Sequence, residues 1–133
     1  MPLAKPRNTI TRAPDLLVIP VAAATVIQQG ALVCVDGGHA VPGATAAELT
    51  AAGRAEETVD NSDGAAGAKA ITIRRGVFKW KNAAADPIGQ ADLLADCYVV
   101  DDETVAKTDG AGTRSRAGKV LDIEPTGVWV ETL

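Results

Sequence analysis

In the segment AITIRRGVFKWKN, residues 70–82, hydrophobic positions recur every second residue. Ile71 and Ile73 hold one phase, Phe78 and Trp80 the other. Successive strand residues point to opposite faces, so a change of phase requires one extra residue, and Gly76 stands where the change occurs. The pattern predicts a β-bulge at Arg75-Gly76. LLVIPV, residues 16–21, is a second strand, and Pro20 marks it as an edge strand or a bulge. ALVCV and HAVPG flank Asp36-Gly37-Gly38, the residue types of a tight hairpin. CYVV, TVAK, KVLDI and GVWVETL follow as short strands, and Glu124-Pro125-Thr126-Gly127 has the type I turn preference, so it closes a terminal hairpin.

Two segments read differently. QADLLAD suits a single helical turn. ATAAELTAAGRAEETV has the alanines and glutamates of a helix, but Gly53 interrupts it. It predicts a short helix or turn near residues 45–49, then a strand over 51–59 and a loop over 60–69. Eight or more short strands between turn residues predict an all-β fold, an antiparallel β-barrel or β-sandwich with at most one or two short helical turns.

With 133 residues the chain is long enough for one domain with a real core and too short for two ordinary ones. Residues 1–15 carry Lys5, Arg7, Arg12 and Asp15 and prolines at 2, 6 and 14, which predicts an extended arm; residues 16–133 form a single β domain. Alanine accounts for 25 residues and aromatics for only 3%, so the core rests on Val, Ile and Leu. A net charge of −4 argues against a nucleic-acid partner, which needs clustered Lys and Arg. No apolar run approaches the roughly 18 residues of a membrane helix, and the N-terminal residues lack the apolar stretch of a signal peptide. The chain is expected to be made in the cytoplasm, without a membrane partner. Cys34 and Cys97 sit in separate strand-like runs and read as buried free thiols.

Candidate chemistry is sparse. AGTRSRAGKVLDIE, residues 111–124, resembles a phosphate loop, yet five residues separate Gly112 from Gly118 and Val120 follows Lys119 where a hydroxyl is needed. It reads as a loop entering a strand. His39, the single histidine, lies at a hairpin tip with no nucleophile pattern beside it. Asp60 and Asp63 in DNSDG, and Asp101, Asp102 and Glu103, lack the ligand alternation of a calcium loop and read as solvated acidic turns. Arg74, Arg75, Lys79 and Lys81 form a basic cluster, but Phe78 and Trp80 alternate with the lysines and face the other side. No enzyme, cofactor or metal is indicated. A ligand- or carbohydrate-binding β-sandwich, with Trp80 and Trp129 as a platform, is the alternative function.

GRAEETVDN, RRGVF and CYVVDD with TRSRAGKV, within a resemblance spanning residues 16–133, are similar to the small capsid decoration, or cement, proteins of Mu-like and related tailed bacteriophages and prophages. The resemblance implies a structural virion protein on the outer capsid surface, with the major capsid protein as partner, and a homo-oligomer, a trimer by preference. Lys5, Pro6, Arg7, Asn8, Thr9, Ile10 and Arg12 are then the candidate capsid or intersubunit contacts, because a polar arm can add a strand to a neighbour.

Overall fold

The computed structural model describes residues 4–9, 12 and 14–133. Among the described residues twelve strands follow one another: β1 (Leu16–Pro20), β2 (Thr25–Ile27), β3 (Leu32–Asp36), β4 (His39–Pro42), β5 (Thr50–Ala55), β6 (Val59–Asn61), β7 (Ala70–Arg74), β8 (Gly76–Asn82), β9 (Asp96–Val99), β10 (Thr104–Ala106), β11 (Arg116–Glu124) and β12 (Gly127–Thr132). The expected helical turn in QADLLAD is a short 3₁₀ turn, Gln90–Asp92. The protein is all-β.

Strands β10, β8, β12, β11 and β9 close into a barrel. Every pairing in it is antiparallel except β10 with β8, which is parallel. The other large sheet runs β1-β7-β5-β3-β4, and β2 pairs with β6 in a ribbon of its own. The outer strands of the large sheet approach at one end, where Val21 bridges Ala40 and the Ala22 N–H donates to the Ala40 carbonyl at 3.0 Å.

The wall between the two structures is β3. Leu32 and Cys34 pack into the barrel core with Phe78, Trp80, Val99 and Val128, while Val33 packs into a second core with Val21, Ile27, Ile71 and Ile73. All three wall residues have no exposed surface. Burial on both faces explains why LVCV shows no polar alternation.

Both predicted hairpins form. Gly37 and Gly38 take φ of 56° and 91°, the left-handed pair of a type I′ turn, and Pro125-Thr126 joins Glu124 to Gly127.

Three local expectations change. The phase slip at Arg75-Gly76 is not a bulge: β7 ends at Arg74 in the large sheet and β8 begins at Gly76 in the barrel. The chain changes sheets there, so inward-facing side chains must serve a different core. The strand expected over 51–59 divides into β5 and β6, because the chain bends at Glu56-Glu57, whose Glu57 carboxylate accepts the Thr72 N–H at 3.0 Å. The loop over 60–69 correspondingly starts later, after Asn61.

No helix forms near residues 45–49. The Ser115 hydroxyl accepts the Leu49 N–H at 2.9 Å and donates to the Ala46 carbonyl at 2.7 Å. Those are the two backbone groups that would close a helical turn, and a distant side chain stands between them. Glu48 takes a left-handed φ of 64°.

Candidate functional site

The arm is exposed over residues 4–9 and at Arg12, so Lys5, Pro6, Arg7, Asn8 and Thr9 lie on the surface. Ile10 lies outside the described residues. At the root of the arm the Arg75 N–H donates to the Asp15 carbonyl at 2.7 Å, and the Arg74 guanidinium pairs with the Asp15 carboxylate. Arg74 also reaches Glu56 at 3.3 Å, Arg54 donates to Glu56 at 2.7 Å, and the Arg54 guanidinium carbon sits 4.8 Å from the centre of the Phe78 ring. This chain of contacts joins the arm root to the wall of the barrel. The hydrogen bond from Arg54, with the charges of Arg54 and Arg74, holds the Glu56 carboxyl below its usual range. Sequence reasoning passed over Arg54 and Glu56, since they meet Asp15, Arg74 and Phe78 only through sheet pairing.

Beside the arm root, β1 is the last strand of its sheet. Leu17 lies opposite Ile73 and Ile19 opposite Ile71, and the hydrogen bonds from Arg75 to Asp15 and from Val21 to Lys69 extend the same phase. Odd-numbered residues therefore turn their backbone groups to β7; Leu16, Val18 and Pro20 turn theirs outward. Val18 is 64% exposed. At the opposite edge, the bond from the Gly43 N–H to the Leu32 carbonyl sets the phase, so Ala40 and Pro42 of β4 face outward. Ala40 is engaged by Ala22, and Pro42 has no N–H. Along the outer edge of β1, the N–H groups of Leu16 and Val18 turn outward without a neighbouring strand.

The other candidates remain dispersed. His39 is half-buried at the start of β4, opposite Asp36. Cys34 and Cys97 are free and fully buried, and burial pushes both thiols up to about 12. Residues 116–124 of the glycine-lysine segment form β11, and the preceding loop closes through the Thr113 and Arg114 N–H groups on the Asp109 carbonyl. Arg114 donates to Asp86 at 2.9 Å, and the same carboxylate accepts the Thr108 N–H and hydroxyl, tying two distant loops together.

DNSDG borders a depression of about 340 Å³ with Ala68 and Lys69. Asn61 holds the turn from inside: its Nδ2 donates to the carbonyls of Ala22 and Ala65, at 2.9 and 3.1 Å. Ser62 holds the Asp60 carboxyl low by hydrogen bonding. In the second acidic turn Glu103 pairs with Lys81, whereas burial, then the charges of Asp101 and Glu103, raise the Asp102 carboxyl. Among the described residues, no group of three or more His, Cys, Asp and Glu is placed to hold a metal ion.

Phe78 and Trp80 point into the barrel as their phase predicted, ring centres 6.2 Å apart. Trp129 lies on the outer side of β12, where its Nε1 donates to Glu124 at 2.9 Å. The two tryptophans share no platform. Lys79 reaches Glu124, Lys81 reaches Glu103 and Arg74 pairs with Asp15 and Glu56, so three side chains of the basic cluster meet carboxylates. Among the described residues no helix is long and apolar enough to cross a membrane. No family model, curated protein or solved structure matches the chain.

Proposed function

We propose that the chain is a structural virion protein that binds the outer surface of a tailed-phage capsid and stabilises the shell, with the major capsid protein as partner. The observation that carries this reading is the exposed basic arm fixed at its root to a body with two packed cores. A decoration protein needs a body that does not yield and a segment that reaches a neighbour. Asp15, Arg74 and Glu56 supply the junction between them. The motifs in GRAEETVDN, RRGVF and TRSRAGKV support the same reading through their resemblance to cement proteins.

Co-sedimentation tests it. Purified protein is mixed with empty expanded shells assembled from the major capsid protein of the same phage or prophage, and pelleted beside a variant lacking residues 1–13. The full chain should pellet with the shells and the truncated one should remain in solution. Failure of the full chain to pellet would sink the capsid reading, whereas equal pelleting of both would remove the arm from it.

A further inference from the structure

We infer that the arm of one copy adds as a strand to the open edge of β1 in a second copy, with Arg7 opposite Val18 and Thr9 opposite Leu16. The receiving edge is short and defined. Leu16 and Val18 turn their N–H and carbonyl groups outward, the lane beside Val21 is already taken by Ala40, and Pro14 lies in a turn at the other end. The free lane runs from Leu16 to Ile19, and residues 6–9 fill it in this register.

Pro6 selects the phase. Lacking an N–H, it must face away from the ladder, so Arg7 and Thr9 present their backbone groups to the receiving edge. In an antiparallel pair, directly opposed side chains share a face. Arg7 and Thr9 then lie on the side of Val18, which is exposed, and Lys5 joins them, so the cationic groups stay in water. One proline thus permits the hydrogen bonds and keeps the charges solvated.

Charge and geometry favour a second copy as the recipient. Residues 1–15 carry Lys5, Arg7 and Arg12 against Asp15; from totals of 13 and 17, residues 16–133 are left with ten basic and sixteen acidic side chains. Opposite net charge between arm and body attracts one copy to another. Within a single chain, residues 4–9 lie exposed and belong to no strand, and the outer side of β1 has no partner strand, so the arm leaves its own edge open. Because donor and recipient surfaces differ, the contact is head-to-tail and closes as a ring or continues as a filament. A four-residue strand buries far less than the roughly 1,200 Å² of a stable interface, so the pairing must be trapped to be seen in dilute solution.

Disulfide trapping provides the test, without any capsid, so its outcome is separate from that of the capsid reading. A chain carrying Arg7→Cys is mixed with one carrying Val18→Cys under mild oxidant. Residues in a hydrogen-bonded antiparallel pair have Cα atoms about 5.5 Å apart, within disulfide range. Cys34 and Cys97 have no exposed surface and stay out of the exchange. The Arg7/Val18 pair should cross-link several-fold faster than an Asn8→Cys chain mixed with the same Val18→Cys chain, since Asn8 would face the other side. Equal rates, or no cross-link between chains, would overturn the inference.

Discussion

Val33→Ala probes whether the two cores stand or fall together. Val33 is fully buried in the core formed with Ile71 and Ile73, while its neighbours Leu32 and Cys34 belong to the barrel core. Losing two methyl groups forfeits about 1.6 kcal/mol of transfer free energy at ~0.8 per group, and the residual cavity brings the loss to about 2–3 kcal/mol. For a chain of this size that is a fall in Tm on the order of 8–12 °C. Both tryptophans, Trp80 and Trp129, lie in barrel strands, so fluorescence reports the barrel, whereas far-ultraviolet circular dichroism reports every strand. If β3 couples the cores, Val33→Ala lowers both midpoints equally, although it touches only the core without tryptophan. A fluorescence midpoint left unchanged while the dichroism midpoint falls would refute the coupling and divide residues 16–133 into two independent units.

Three further outcomes follow from the geometry. Gly53 has φ of 144°, and a Cβ there would lie 2.1 Å from the Arg74 carbonyl oxygen, so Gly53→Ala should cost about 3 kcal/mol or more, read as a lowered denaturant midpoint. The folded-state pKa of Glu56 is depressed, so its contribution is present above the unfolded carboxylate range and is lost as pH falls through the folded value; Glu56→Gln should flatten that acid limb in denaturation series between roughly pH 6 and pH 3. Cys34 and Cys97, buried and with thiols raised to about 12, should resist a thiol reagent in the native protein and react together once denaturant unfolds it; rapid labelling of either in the native state would contradict their packing.

Much of this molecule was legible along the chain because its signals are local. Asp36-Gly37-Gly38 and Pro125-Thr126 act within four residues, so both hairpins follow from turn chemistry alone. Alternation in ITI and FKW fixes which side chains face inward, since the period of a strand is a property of the backbone. The glycine-lysine segment reads as loop and strand for the same reason, lacking the spacing a phosphate requires.

Tertiary structure decided the rest. The phase slip at Gly76 records a real change of face, yet only the fold distinguishes a bulge from passage into a second core, because both need the same one-residue shift. Residues 45–49 hold helix-forming alanines, but the Ser115 hydroxyl takes both backbone groups of the turn from a distance of some seventy positions, beyond any local signal. The open edge at Leu16 and Val18 is likewise invisible in the sequence: Pro20 marks an edge, and which backbone groups face outward depends on the register that β7 imposes. Sequence determines what each short segment can form, and pairing between segments decides which of their groups are left for a partner, because hydrogen-bond phase belongs to the pair and not to either strand.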